Sequence, residues 1–130
     1  MNTKPFVTIE LPAYDYVGVA RLVAAGVATR LDLPFDAVDD LQLALETVLR
    51  SAFGSEDSAM IGIASNGLTL SVSVGPVAAT VLKQRLNDRD ALGEMDVGAL
   101  LGRLVDAVTV ETEPLPSIVL HVDLAVAGAA

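Results

Sequence analysis

The sequence predicts an α+β domain of two layers, in which helices cover one face of a mostly antiparallel, mixed sheet. Two helical patterns follow each other directly after the first strand pattern. A β-hairpin pattern comes next, and two further strand patterns end the chain. Because two successive helices before a hairpin do not form a βαβ repeat, a purely parallel sheet is excluded. The expected order is β-α-α-β-β, a variable segment, and then α-β-β.

The first half of the chain contains one predicted strand and two predicted helices. Residues 6–11 alternate and end at Pro12, which is typical of a strand. Apolar residues then recur three and four positions apart over residues 16–31, as on one face of a helix. After Pro34, Asp36 is expected to be the N-cap of a second helix. The positions expected to be buried are Val17, Ala20, Ala24, Val27 and Leu31 in the first helix, and Val38, Leu41, Leu45, Val48 and Ala52 in the second.

A β-hairpin is predicted in the middle of the chain. Residues 59–64 and 68–74 flank Ser65-Asn66-Gly67, and Asn-Gly is a favoured two-residue hairpin turn. Apolar and polar residues alternate in the second of these strands, so one of its faces is predicted to be buried. The apolar members of that alternation are Leu68, Leu70, Val72 and Val74.

The last third of the chain contains one more helix and two more strands. Asp96 is expected to cap a helix that runs to Val105, and residues 108–112 and 117–124 are expected to be strands. His121 alternates with the apolar residues of the final strand, which predicts that it points to solvent as a surface histidine.

Composition limits the classes of function. The 130 residues suit one domain, with a core over residues 6–124 and a frayed tail over 125–130. A net charge of −9 argues against direct binding of nucleic acid and against docking on anionic membranes. The absence of cysteine and the single histidine argue against a transition-metal site. No signal peptide or membrane-spanning run is found, so a cytoplasmic location is expected.

Two segments resemble a known family. The stretch FDAVDDLQLALETVLRSAF, residues 35–53, resembles the motif helix of the GHKL, or Bergerat-fold, ATPases, in the form seen in RsbW-like anti-sigma factors and serine kinases. The stretch LLGRLVDAVTVE, residues 100–111, resembles the last helix and following strand of that family. The order of elements over residues 6–124 is also similar. The resemblance implies the histidine-kinase-like ATPase fold and a bacterial regulator of transcription.

The resemblance also implies candidate nucleotide-binding residues in the motif helix. The family has a glutamate there, which orients or deprotonates the attacking group, and an asparagine four residues later, which ligates Mg²⁺. Glu46 matches the glutamate, but Arg50 stands at the asparagine position. A guanidinium has no acceptor and therefore cannot coordinate a metal ion, although it can contact phosphate. The alternative for these two residues is an ordinary ion pair on a solvated helix face.

The other two family motifs are also altered. The family's Asp-x-Gly-x-Gly motif corresponds to Ser73 and Gly75, without a carboxylate before the glycine. Its glycine-rich phosphate loop corresponds to Gly93 and Gly98. Acidic residues between these two glycines oppose an anionic phosphate. The alternative for Ser73 is an outward-facing residue on a half-exposed strand. The alternative for the segment with the two glycines is an ordinary capped helix start.

Two functions follow from this resemblance and its departures, and a third applies if the helix only imitates the family motif. The first is an RsbW-like anti-sigma-factor-type regulator that acts by protein binding, without ATPase or kinase activity and without a cofactor. Its expected partner is a sigma factor or a STAS-type anti-sigma antagonist, and a homodimer is compatible with it. The second is an active protein-serine kinase that uses ATP and Mg²⁺, with Glu46 as its catalytic base. The third is an unrelated α+β binding domain. The basic residues Lys83, Arg85 and Arg89, where the family has its nucleotide lid, are expected to lie in a solvated loop.

Overall fold

A computed structural model describes residues 5–11, 17–53, 58–76, 97–111 and 116–124. Its eight elements confirm the predicted α+β class and the predicted order of helices and strands. In chain order they are β1 (Val7–Leu11), α1 (Val17–Arg30), α2 (Phe35–Ala52), β2 (Ala59–Ser65), β3 (Thr69–Gly75), α3 (Val97–Leu104), β4 (Ala107–Glu111) and β5 (Ser117–Asp123).

The five strands form one sheet in the order β1-β2-β3-β5-β4. Each of the four pairings is antiparallel. The chain therefore places its last strand, β5, beside β3 and leaves β4 at the edge. No parallel pairing occurs among the described strands, so this part of the sheet is fully antiparallel, whereas a mostly antiparallel, mixed sheet was predicted.

The hydrophobic core lies between one face of this sheet and the helices. Leu41 and Leu45 of α2 are fully buried, as the helical periodicity predicts. Alternate residues of β3 and β5 enter the same core, because successive side chains of a strand point to opposite faces. The core residues of these two strands are Leu70, Val72, Val74, Ile118, Leu120 and Val122.

The opposite side of the sheet carries none of the described helices, and we call it the helix-free face. It carries the residues that alternate with the core residues of each strand, as the register of the strands shows. Near its centre are Gly62, Ala64, Ser71, Ser73, Thr109, Val119 and His121.

A tight turn joins α1 to α2. The backbone N–H of Leu33 donates to the carbonyl of Ala28, and that of Asp32 donates to Thr29. These two bonds form a Schellman motif, whose C′ residue has a left-handed conformation. Asp32 accordingly has φ of 61°. The leucine that follows it is buried in the core.

Three sequence-based details are wrong. Asp36 is not the N-cap of α2, because the helix starts at Phe35 and the cap is Pro34, with no side-chain cap bond. In the hairpin, Asn66 and Thr69 close the turn, so Gly67 and Leu68 are its central residues. Gly67 has φ of 89°, as the first central residue of a type II′ turn does. Leu68 is therefore exposed rather than buried.

The remaining differences are small. In α1 the predicted positions Val17, Ala20 and Ala24 are buried. Ala28 is buried as well, whereas Val27 and Leu31 are only partly buried against the core. Asp96, Gly93, the basic residues 83–89 and the tail 125–130 lie outside the described residues, so the predictions for them stay predictions. None of the three described helices is both long and apolar enough to cross a membrane.

Candidate functional site

The candidate site is built around Glu46, on the side of α2 that faces α1. The inward side of α2 carries leucines and valines that pack into the core. Glu46 lies beside this apolar side, and its side chain is 19% exposed. A charged group with so little exposure needs partners, because burial of a charge is costly unless the charge is paired.

Two arginines supply these partners. Arg50 Nη2 lies 3.4 Å from Glu46 Oε1, one helical turn further along α2. Arg21 Nη1, from α1, lies 3.4 Å from the same oxygen. The backbone carbonyl of Arg21 also accepts a hydrogen bond from Gln42 Nε2 at 3.2 Å. The structure therefore shows the ion pair that is the alternative for Glu46 and Arg50, but Glu46 is largely buried rather than on a solvated face, and Arg21 is a second partner.

Sequence reasoning missed Arg21. It lies 25 residues before its partner, and no helical spacing joins the two. One signal was available, since only Arg21 and Arg30 are charged in the whole of α1. A lone arginine within an apolar helix commonly has a carboxylate partner on a neighbouring element.

Both ion pairs in this cluster are long. The contact in each pair joins a guanidinium nitrogen to Oε1 at 3.4 Å, whereas strong charge-assisted pairs have N–O distances of about 2.7–2.9 Å. Arg21 Nε is buried and donates to none of the described residues. Partly exposed pairs of this kind contribute about 0–1 kcal/mol. The cluster thus links α1 to α2 and occupies one oxygen of Glu46.

No metal-binding group is formed by the described residues. They contain no cluster of three or more histidine, aspartate or glutamate side chains placed to hold an ion. Arg50 presents a cation where the family that the motif helix resembles has its metal ligand, and a guanidinium offers no lone pair.

Ser73 lies on the other side of the sheet from Glu46. Its strand neighbours Val72 and Val74 enter the core beneath the helices, so Ser73 is on the helix-free face. There its hydroxyl donates to the carbonyl of Gly62 at 3.3 Å. The structure does not bring Ser73 and Glu46 together, because the sheet lies between them.

Gly75 has a packing role at the end of β3. A Cβ atom built on it would lie 2.7 Å from the carbonyl oxygen of Pro116 and 2.9 Å from Ser117 Cβ. Such distances are too short for a side chain, so the start of β5 requires glycine here. This close approach accounts for the presence of glycine at position 75, and no nucleotide-binding role is needed to explain it.

Gly98 is the second residue of α3 and is partly buried. Gly93, the other glycine of the predicted phosphate loop, lies outside the described residues. The two glycine predictions at this loop therefore stay predictions.

His121 joins three strands on the helix-free face. Its Nδ1 lies 3.1 Å from Ser71 Oγ on β3, and its Nε2 lies 2.8 Å from Thr109 Oγ1 on β4. Both hydroxyls can donate or accept, so they satisfy either tautomer of the imidazole. His121 points away from the core as predicted, and it is half-buried among these hydroxyls.

Comparison with known proteins finds partial similarity to one kind of enzyme. Over 53 residues the chain is 34% identical to serine-protein kinase RsbW of Oceanobacillus iheyensis. The matched segment covers 40% of this chain and 34% of the relative. Over 52 residues it is 33% identical to serine-protein kinase RsbW of Bacillus subtilis. Here the matched segment covers 39% of this chain and 32% of the relative. No protein-family model matches the chain.

The matched part spans about a third of the length of these two curated relatives. The similarity agrees with the branch of the family that the motif helix resembles. It establishes a likeness to RsbW kinases over part of the chain, and the activity and partners of the whole protein are matters of proposal.

Proposed function

We propose that this protein is an RsbW-like regulator of the anti-sigma-factor type, which acts by binding another protein and does not transfer phosphoryl groups. The observation that carries the proposal is the pairing of Glu46 with two arginines. The proposal also rests on the partial similarity to RsbW kinases and on the two-layer α+β fold.

The chemistry of phosphoryl transfer supports the absence of kinase activity. Such transfer depends on a metal ion that neutralises the phosphates and on a residue that positions the attacking group. Arg50 removes the metal ligand that the related family has at this position. Arg21 and Arg50 both contact Oε1 of Glu46, so one of its two carboxylate oxygens is engaged in ion pairs. Ser73, at the position of the adenine-binding aspartate, lies across the sheet from this cluster.

The proposed partner is a sigma factor or a STAS-type anti-sigma antagonist, as the family resemblance implies. The net charge of −9 is compatible with this, since an acidic surface attracts a basic protein and repels nucleic acid. A homodimer is compatible with the same function.

A second candidate function is an active ATP-dependent protein-serine kinase. It is favoured by the similarity to two serine-protein kinases and by the presence of Glu46 at the position of the catalytic glutamate. In that case Glu46→Ala abolishes phosphorylation of the partner while the fold stays intact. Equal phosphorylation by Glu46→Ala and wild type would count against the kinase.

Calorimetric titration with ATP, with and without Mg²⁺, tests the proposal. We expect no saturable heat of binding up to millimolar ATP. Serine-protein kinase RsbW of Bacillus subtilis is titrated in parallel as the comparison protein. Saturable, Mg²⁺-dependent binding at micromolar ATP would overturn the proposal and favour the kinase.

Co-expression with sigma factors and STAS-type proteins tests the partner. A stoichiometric complex that survives gel filtration without nucleotide is the expected result. If neither ATP nor any of these proteins binds, the proposal fails and an unrelated α+β binding domain is favoured.

A further inference from the structure

The β2–β3 turn, residues 66–69, presents an asparagine followed by a glycine to solvent. Asn66 and Gly67 are both exposed. A Cβ atom built on Gly67 would meet no other atom within 4 Å. The peptide bond between the two residues is therefore open to water, and glycine contributes no side chain that would shield the amide group of Asn66.

Hydrogen bonds hold the side-chain amide of Asn66 in one orientation. Its Oδ1 accepts from the backbone N–H of Leu68 at 2.9 Å and from that of Thr69 at 2.8 Å. Its Nδ2 donates to none of the described residues. The oxygen of the amide is thus bound by the turn, whereas the nitrogen of this exposed side chain is left to water.

This orientation prepares Cγ of Asn66 for attack by a nucleophile. Two backbone N–H donors on one carbonyl oxygen are the arrangement that stabilises the negative charge developing on that oxygen in acyl transfer. The nearest nucleophile is the backbone nitrogen of Gly67, whose attack closes a five-membered ring and needs no second molecule. The N–H of Gly67 donates to Ser65 Oγ at 3.1 Å, and a hydroxyl can accept a proton and pass it on to water.

We propose that the β2–β3 turn is a site of spontaneous deamidation, in which the backbone nitrogen of Gly67 attacks Cγ of Asn66. A bond forms between this nitrogen and Cγ, the bond from Cγ to Nδ2 breaks, and Nδ2 leaves as ammonia with the proton that Gly67 gives up. Water then opens the resulting succinimide. Cleavage between Cγ and the Gly67 nitrogen gives aspartate, whereas cleavage between that nitrogen and the main-chain carbonyl carbon of residue 66 gives isoaspartate. This modification is independent of the proposed function.

The two products have different effects on the turn. Aspartate keeps an oxygen in the place of Oδ1, so the N–H groups of Leu68 and Thr69 then donate to a charged acceptor. It also adds one negative charge to a chain whose net charge is −9. Isoaspartate lengthens the main chain by one methylene group, which displaces the bond from the N–H of residue 66 to the carbonyl of Thr69 that closes the turn. Aspartate therefore retains the hairpin, and isoaspartate loosens it.

Incubation of the folded chain at mildly alkaline pH, followed by proteolysis and mass spectrometry, tests the site. The peptide that contains Asn66 should gain about 1 Da, because an amide is replaced by a carboxylic acid. The chain contains its own controls, since Asn2 precedes Thr3 and Asn87 precedes Asp88. We expect Asn66 to be converted before either of them. Conversion of all three at the same rate, or of Asn2 or Asn87 first, would overturn the proposal.

Variants at the two central atoms of the reaction test its geometry. Asn66→Gln keeps a side-chain amide, but attack by the next backbone nitrogen would have to close a six-membered ring, so the mass gain should be lost. Gly67→Ala places a Cβ atom beside the nucleophile and should slow the gain. Because a φ of 89° strains alanine, circular dichroism first checks that this second variant is folded. A gain in Asn66→Gln as fast as in wild type would assign the change to another residue and contradict the proposal.

Separation of the products shows whether Gly67 takes part. Aspartate and isoaspartate peptides have equal mass but different retention in chromatography, and the variant Asn66→Asp supplies the aspartate standard. We expect the incubated wild type to give two peptides of the increased mass, of which one co-elutes with this standard and the other is the isoaspartate. A single product that co-elutes with the standard would mean direct hydrolysis of the side-chain amide by water, and the attack by Gly67 would be wrong.

Discussion

Asp32 has a conformation that favours glycine. Its φ of 61° is left-handed, and it lies at the C-terminal end of α1. Two costs act here: a side chain in this conformation is strained, and a negative charge is unfavourable at the negative end of the helix dipole. Glycine at C′ avoids both. We therefore expect Asp32→Gly to raise the free energy of unfolding by about 1 kcal/mol.

Urea unfolding monitored by circular dichroism measures this change. The slope against urea should stay constant while the midpoint rises. Asp32→Ala is the matched variant, because it removes the charge but keeps a Cβ atom in the left-handed conformation. If Asp32→Ala stabilised the protein as much as Asp32→Gly, charge alone would be the cause and the backbone argument would be wrong.

Single residues also show where sequence reasoning stopped. Glu46 and Arg50 could be paired from the sequence, because residues four apart share a helix face. Arg21 could not be included, because its contact depends on how α1 packs against α2. Gly75 was explained by the family motif, whereas the structure gives it a close backbone contact with Pro116. A short distance between strands cannot be read from a residue type.

At the scale of elements, α2 separates buried from exposed leucines within one helix. Leu45 is fully buried in the core, whereas Leu43 is among the large exposed apolar residues. We expect Leu45→Ala to lower the free energy of unfolding by about 2–5 kcal/mol, because it removes apolar contacts and leaves a cavity. Leu43→Ala should change it by no more than about 0.5 kcal/mol.

Chemical denaturation of the two variants, with identical substitutions two residues apart, checks this contrast. Helix propensity favours alanine equally in both, so it cancels in the comparison. A loss for Leu43→Ala as large as that for Leu45→Ala would mean that Leu43 is covered in solution.

Most elements could be predicted because their signals are local. The alternation in β3 and the three-and-four spacing in α2 each specify a buried side within a few residues. Turns were less predictable. Asn66 was expected inside the hairpin turn, but its side-chain oxygen accepts from the backbone of Leu68 and Thr69 and so closes the turn from outside. The hydrogen-bonding capacity of the asparagine determined which two residues became central.

At the scale of the whole molecule, the sheet order decides how the candidate residues are arranged. On the side of β3 away from β2, the neighbouring strand is β5 and not β4, the next strand along the chain. This pairing depends on contacts about fifty residues apart, as in the Ser71–His121 bond. Local patterns contain no such information. The sequence showed that Ser73 points away from the buried side of its strand, but only the position of the helices shows that the sheet separates it from Glu46.

Net charge is the whole-molecule property with the clearest consequence for stability. A chain with 17 acidic and 8 basic residues repels itself when compact. Added salt screens this repulsion, since the screening length falls from about 30 Å at 0.01 M to about 8 Å at 0.15 M. Salt also weakens attractive pairs such as Arg21–Glu46, but partly exposed pairs of this kind contribute only about 0–1 kcal/mol. The repulsion of the excess carboxylates should therefore be the larger effect.

We expect the melting temperature to rise by about 3–6 °C between 0.01 M and 0.15 M NaCl, which corresponds to about 1 kcal/mol for a domain of this size. Differential scanning calorimetry measures it. The matched variant Glu10→Gln/Asp39→Asn changes two exposed carboxylates and reduces the net charge from −9 to −7. It should melt higher than wild type at low salt and respond less to added salt. A melting temperature that falls as salt is added would instead mean that the ion pairs between elements, with Glu46 at their centre, outweigh the repulsion of the acidic surface.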